Sequence, residues 1–290
     1  MTSGTRLTGP RLDAAVVGLG AMGLPMATRL AGWGRVVGVD PSKDRRDLGA
    51  DAGMQVAASL PSAPPPRLVL VMVSTAEQLT QVIATAAVTA HQTWVLMGTY
   101  GPSAVEEVGE QLVADGAQVV DAPVTGGVRG AETGALHIFC AGPGPALHDI
   151  RPALTRLGTP HEVGSAIGAG QRLKAVNQLL CSVHLTAAAE AVALARASGL
   201  DASTALALLS AGAASSWMLR DRADGLLSPQ PPAVRSTVDV FVKDSGIAHD
   251  LGVEAGVATP LLDAARAQFL RAHEAGLGHQ DDSQVIRMYQ

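Results

Sequence analysis

Ala14-Ala-Val-Val-Gly-Leu-Gly-Ala-Met-Gly23 decides the fold. An apolar run leads straight into Gly18, Gly20 and Gly23, and the chain beyond, Leu24-Pro-Met-Ala-Thr-Arg-Leu30, reads as a helix. This is a strand that turns through glycines into a helix. In such a turn Gly18 permits the tight bend, Gly20 lets a pyrophosphate approach the backbone, and Gly23 lets helix and strand pack closely. The helix N-terminus then faces the phosphates. The loop Gly18, Leu19, Gly20, Ala21, Met22 and Gly23 is therefore the candidate cofactor cradle.

A second strand, Arg35-Val-Val-Gly-Val-Asp40, ends in an acid 22 residues after Gly18. A carboxylate at that spacing accepts the hydroxyls of an adenosine ribose. It also repels a 2′-phosphate, and Pro41, not an arginine, follows it. NAD is thus expected over NADP, with Arg45 and Arg46 read as solvated helix residues.

The alternation continues. Arg67-Leu-Val-Leu-Val-Met-Val-Ser74 is a continuous apolar run, as in a parallel strand buried on both faces. Residues 75–87 read as a helix, 93–99 as a strand, 102–114 as a helix opened by Pro102, and 117–124 as a strand. Val73 and Thr99, near strand ends, join the candidate cofactor contacts. The strand ending at Thr125-Gly-Gly127 offers a hydroxyl and backbone N–H groups to a small anion, or is an ordinary glycine turn. Residues 135–142 and 161–164 read as further strands, which makes His137 and His161 strand residues.

Near residue 165 the strand signals stop. Residues 170–198, 201–211, about 236–253 and 258–275 read as helices. The first opens as Gly168-Ala-Gly-Gln-Arg-Leu-Lys-Ala-Val-Asn-Gln178. Lys174 shares a helix face with Asn177 and Gln178, three and four residues on. The expected architecture is α/β: a Rossmann dinucleotide-binding domain over 12–167, then an all-α domain over 168–290, joined by a long helix over 168–198.

Composition agrees with a folded two-domain chain. Of 290 residues, 47% are hydrophobic and only 3% aromatic, so the core is built from small side chains. The net charge of −5, with no basic run, argues against nucleic acid and anionic membrane. Residues 14–28 hold three glycines and a proline and fail as a membrane span. Cys140 and Cys181 match no metal or redox spacing and read as buried free thiols of a cytoplasmic protein. His273 and His279 suit no common ligand face, so no metal is expected. The polar stretch 1–13 reads as a frayed tail and residues 61–66 as a proline-rich loop.

Several segments together resemble the β-hydroxyacid dehydrogenases. Gly18–Ala27 is similar to that family's cofactor signature, and Asp121–Gly127 to its substrate-carboxylate loop, with Thr125 where a serine is usual. Residues 168–178 resemble its catalytic segment and Phe241-Val-Lys-Asp244 the helix that returns a second lysine. Val176–Leu180, Ala187–Ala193, Ser216-Trp-Met218, 238–244 and Asp281-Asp-Ser283 resemble the members that act on L-threonate. Departures are Gly98-Thr99 where Ser-Thr is common and Gln178 where a shorter amide is usual.

The resemblance implies hydride transfer between NAD and a small hydroxy-carboxylate. Lys174 is then the acid–base group, assisted by Asn177 or Gln178; Thr125, Gly126 and Gly127 hold the substrate carboxylate; Lys243 reaches the cofactor. A free lysine titrates too high to act as a base at neutral pH, so burial and the Lys243 cation are expected to depress it. The resemblance also implies a homodimer or homotetramer through the helical domain. Lys174 and Asp40 argue against an imine reductase on the same scaffold, and the intact lysine, amide and carboxylate loop against a silent dinucleotide-binding protein.

Overall fold

The computed structural model describes residues 12–60 and 65–289; the expected tail, up to residue 11, and residues 61–64 of the proline-rich loop lie outside the described residues. The chain divides into two compact units, one ending at Gln171 and the other beginning at Arg172.

The first unit alternates strands and helices: β1 (Leu12–Val17), α1 (Gly23–Ala31), β2 (Gly34–Val39), α2 (Lys43–Asp51), β3 (Gln55–Ala57), β4 (Leu68–Val71), α3 (Ala76–Thr85), β5 (Thr93–Leu96), α4 (Pro102–Ala114), β6 (Gln118–Asp121), β7 (Val124–Thr125), α5 (Gly127–Thr133), β8 (Leu136–Ala141), α6 (Gly144–Leu157) and β9 (Gly158–Gly164). The strands form one sheet in the order β3-β2-β1-β4-β5-β6-β8-β7, with β9 on β8. Pairing is parallel from β3 through β6, antiparallel from β6 to β8 and β8 to β7, and parallel again at β9.

The continuous apolar runs are explained by the two faces of this sheet. Ala14, Val16, Leu70, Val95 and Met97 pack on one side with Met26 and Leu30 of α1 and Ile150 and Leu154 of α6. Ala15, Val17, Val69, Val71, Trp94 and Leu96 pack on the other with Leu79 and Ile83 of α3 and Val105 and Val108 of α4. Successive residues thus feed opposite cores, which leaves no position for a polar side chain.

The second unit is helical, as the sequence predicts. Helix α7 (Ala169–Ala197) crosses the division and is followed by α8 (Ala202–Ala211), α9 (Trp217–Leu227), α10 (Val238–Glu254) and α11 (Pro260–Ala272). A π turn at His273–Leu277 and a 3-10 helix at Asp282–Tyr289 close it. Asp201, Ser216 and Thr237 cap α8, α9 and α10 by accepting the N–H of Thr204, Leu219 and Val240. Leu185, Ala189, Phe241 and Phe269 lie in its main core, the two phenyl rings stacked 4.8 Å apart. Helix α7 is long and apolar enough to cross a membrane by length and composition alone, and 44% of that span is buried inside the protein. Its buried positions include Gln171, Lys174, Gln178, Ser182 and Thr186.

Four elements go beyond the expected pattern. Helix α6 contains Pro152, which interrupts the helical signal. Helix α9 buries Arg222 beside Leu226, so its inward face is not purely apolar. Helix α5 opens on glycines, and β3 is only three residues long. The two thiols also differ: Cys140 is buried, but Cys181 is only half-buried. Cys140 is pushed up to about 12 by burial.

Candidate active site

In the first unit, register builds the site. Val39 pairs with Val17, Val17 with Val71, Val71 with Leu96 and Leu96 with Asp121. These strand ends form one row, so the segments that follow them leave the sheet along a single edge. Asp40, Gly18–Gly23, Val73, Thr99 and the Thr125 loop all belong to those segments. The strand order reverses between β1 and β4, and ligands of open parallel sheets bind at that switch point.

The fold itself requires two of the three glycines. Gly18 has φ of +93°, and a Cβ there would meet the Met72 carbonyl oxygen at 2.6 Å. A Cβ on Gly23 would meet the Gly18 carbonyl oxygen at 1.8 Å, whereas one on Gly20 would meet nothing within 4 Å. Gly18 and Gly23 are thus needed by the protein itself, while the approach to Gly20 is open. No side chain caps the N-terminus of α1. An open backbone approach beside an uncapped helix start fits a diphosphate. Asp40 braces this loop: its Oδ2 accepts the N–H of Leu19 at 2.8 Å and its Oδ1 that of Ser42 at 2.9 Å. Ala21 is exposed and Met22 half-buried. Arg46 donates to the carbonyls of Asp40 and Pro41, while Arg45 is exposed.

Thr125 pairs with His137 across β7 and β8, and Gly126 and Gly127 both take left-handed φ. His137 and His161 contact each other at 3.0 Å on adjacent strands.

An anchor the motif reading passed over lies behind this edge. The Asp121 carboxylate accepts the N–H of Gly168 at 3.1 Å, the N–H of Gln171 at 3.0 Å and the Gln171 side-chain amide at 3.0 Å. Gln171 also donates to the Gly98 carbonyl at 3.0 Å and accepts the N–H groups of Tyr100 and Gly101. One buried acid and one buried amide therefore tie the ends of β5 and β6 to the start of α7. Burial pushes Asp121 up to about 6, against the hydrogen bonds that favour its charge. Gly170 is part of the fit, since a Cβ there would stand 2.5 Å from the Phe139 carbonyl oxygen.

In the second unit Lys174 is only 6% exposed. Its Nζ donates to Gln178 Oε1 at 2.8 Å, and Asn177 Nδ2 donates to the same oxygen at 2.8 Å. Gln178 Nε2 donates to Asp244 Oδ2 at 2.5 Å, and Lys243 Nζ donates to Asp244 Oδ1 at 2.6 Å. The structure thus gathers Lys174, Asn177, Gln178 and Lys243 into one network and adds Asp244, which is 3% exposed. Lys174 is lowered from its ordinary value, first by burial and also by the Lys243 charge, with Asp244 and Cys181 opposing. Among the described residues no group of His, Cys, Asp or Glu has the geometry of a metal site. His273 and His279 instead face Asp239, at 2.6 and 3.5 Å.

Residues 13–170 match the NAD binding domain of 6-phosphogluconate dehydrogenase, and residues 168–289 the family described as NAD-binding of NADP-dependent 3-hydroxyisobutyrate dehydrogenase. The chain is 34% identical to the L-threonate dehydrogenase of Cupriavidus necator, covering 96% of each chain. It belongs to the β-hydroxyacid dehydrogenase family. The L-threonate dehydrogenase of Escherichia coli K12 is 30% identical to this dehydrogenase, covering 97% of its chain and 96% of the relative. The crystal structure of 3-hydroxyisobutyrate dehydrogenase from Salmonella typhimurium matches with a TM-score of 0.88 at 29% identity, covering 96% of this chain and 99% of that one. The α/β unit of this dehydrogenase is thereby an NAD(P)-binding domain.

The residues that carried the likeness to the L-threonate enzymes divide by role. Asp281 accepts the N–H of Arg235 and the Ser283 hydroxyl, and Asp282 holds Arg222 through two bonds of 2.7 and 2.9 Å. Ser216 caps a helix, Met218 is buried in the core and Trp217 is 52% exposed. Asp281, Asp282, Ser216 and Met218 hold the helical unit together, whereas Asn177 and Gln178 belong to the lysine's network.

Proposed function

We propose that this dehydrogenase oxidises a small hydroxy-carboxylate, L-threonate-like or 3-hydroxyisobutyrate-like, with NAD, and runs the reverse reduction. The observation that carries the reading is the buried Lys174 amine, hydrogen-bonded to a side-chain amide and depressed by burial. A lysine in that condition gives up its proton more readily than a free one, as a general base must. The nicotinamide, when bound, supplies the hydride acceptor or donor.

The chain's own groups do the rest. Lys174 Nζ takes the proton of the reacting hydroxyl in oxidation and returns it in reduction. Gln178 and Asn177 orient that amine. The Thr125 hydroxyl and the N–H groups of Gly126 and Gly127 hold the substrate carboxylate. Gly18, Leu19, Gly20, Ala21, Met22 and Gly23 cradle the diphosphate, with Val73, Thr99 and Lys243 as further cofactor contacts. Asp40 accepts the ribose hydroxyls, which favours NAD over NADP. Relatives named L-threonate dehydrogenase that align over 96% of the chain support the substrate class.

The partner expected besides substrate is a second copy, giving a homodimer or homotetramer through the helical unit. Leu173, Val176, Leu180 and Leu194 lie exposed along α7 and support that face. Neither nucleic acid nor a membrane is an expected partner, and the proposed location is the cytoplasm.

The test is a panel of hydroxy acids with NAD and with NADP, followed by absorbance of the reduced cofactor. L-Threonate or 3-hydroxyisobutyrate is expected to be turned over, and Lys174→Ala to abolish turnover with NAD binding nearly unchanged. Normal turnover in that variant rejects the mechanism. Reduction of cyclic imines, without oxidation of any hydroxy acid, favours the imine reductase reading.

A further inference from the structure

We propose that Asp244 is a positioning residue that locks the Gln178 amide with its oxygen toward Lys174, so that a neutral Lys174 amine keeps its lone pair free for the substrate hydroxyl. The proposal rests on Lys174 as the proton-transfer group.

A glutamine amide has an acceptor end and a donor end of nearly equal shape, and its neighbours decide which way it faces. Here the neighbours leave one choice. Lys174 Nζ and Asn177 Nδ2, both donors, lie 2.8 Å from Oε1. Asp244 Oδ2, an acceptor when ionised, lies 2.5 Å from Nε2. Lys243 Nζ donates to the other oxygen, Oδ1, at 2.6 Å, so both carboxylate oxygens accept.

The consequence falls on the amine. A neutral lysine has two N–H donors and one lone pair. With Gln178 Oε1 held toward it, the contact must be made by a donor, and the lone pair points elsewhere. With the amide reversed, an N–H of Gln178 would occupy the lone pair and suppress its basicity. Asn177 Nδ2, which donates to Oε1 and to Cys181 Sγ, favours the same orientation, but an amide can reverse its own two ends, whereas an ionised carboxylate accepts from either oxygen. The acid on α10 is the acceptor that holds the donor end of Gln178. Gln178 and Asp244 are 7% and 3% exposed, so solvent competes weakly for either.

The same contact separates the two lysines. Asp244 pairs directly with Lys243 and reaches Lys174 only through an amide. Asp244 is thus the direct counter-ion of Lys243 and acts on Lys174 across the amide. The charged or titratable groups acting on Lys174 are Cys181 on its own helix and Lys243 and Asp244 on α10; Arg222 of α9 acts on Cys181.

The experiment exchanges donor and acceptor. Asp244→Asn offers the amide an ambivalent partner, and Gln178→Glu fixes an acceptor toward Lys174 whatever stands at 244. Turnover of the hydroxy acid, affinity for NAD and an NMR titration of the Lys174 side chain are measured for the parent, each single variant and the double variant. Asp244→Asn is expected to lose roughly ten- to hundredfold in kcat, the size of one misplaced hydrogen bond to a charged group. Its NAD affinity changes far less, and its Lys174 titration moves to lower pH as the acid's charge is lost. The double variant is expected to regain most of that kcat, with Lys174 titrating at higher pH beside the new carboxylate at position 178.

A folded Asp244→Asn with parental kcat and titration overturns the proposal. So does a folded double variant no more active than Asp244→Asn. Lys174→Met separates the two layers: if it turns over normally, the underlying mechanism fails, whereas its inactivity beside a parental Asp244→Asn refutes only the positioning role.

Discussion

Asp40 is the sharpest test of cofactor choice, because its carboxylate has little freedom to move. One oxygen is held by the Leu19 N–H at 2.8 Å and the other by the Ser42 N–H at 2.9 Å. A 2′-phosphate placed where ribose hydroxyls would be accepted therefore meets a fixed negative charge. Two unit charges about 4 Å apart repel by about 1 kcal/mol in water and about 4 kcal/mol at the effective dielectric near a protein surface. That range corresponds to roughly five- to several-hundredfold in affinity. Arg46 offers limited relief, since its guanidinium is engaged with the Asp40 and Pro41 carbonyls. Asp40→Asn removes the charge and keeps one acceptor for the loop. The expected result is NADP binding at least about fivefold tighter and NAD binding about tenfold weaker, the latter from exchanging a charged acceptor for a neutral one. Calorimetric titration with both cofactors, at low and high salt, reads this directly, and salt should weaken the discrimination by screening. Parental protein that binds NADP as tightly as NAD, or an unchanged ratio in Asp40→Asn, refutes the reasoning.

Three further outcomes follow from the packing. Gly23→Ala sets a Cβ 1.8 Å from the Gly18 carbonyl oxygen, so urea denaturation should show a loss of about 2 kcal/mol or more; parental stability would contradict the close approach. Arg222→Ala strands the buried Asp282 and should cost about 3–5 kcal/mol by the same measurement, which an effect below about 1 kcal/mol would rule out. Asp121 is raised from 3.8 to about 6 in the fold, so its titration contributes stability that is complete below about 3.8 and lost as pH rises through about 6. The stability difference between the parent and Asp121→Asn should thus be larger near the acid end of that window than above it, and a difference independent of pH would show that Asp121 does not titrate there.

Much of the fold was legible because its signals are local. A strand running into Gly18, Gly20 and Gly23, and an acid at the end of the next strand, describe a turn and a pairing that neighbouring residues determine. Lys174 and Gln178 were legible as neighbours because helical spacing alone brings them to one face. Asp121 and Gln171 were not, since their bond joins residues 50 apart and no periodicity marks it. Helix α9 was missed for a related reason, as its inward Arg222 is tolerable only beside Asp282, 60 residues on. Asp244 shows where motif reading stops. Beside Lys243 in the sequence it is either that lysine's orienting acid or a plain helix acid; in the structure one oxygen accepts from Lys243 and the other reaches Gln178, 66 residues away. A motif therefore identified the lysine and its amide, while the acid's hold on the donor end of that amide became visible only when α7 and α10 were seen packed together.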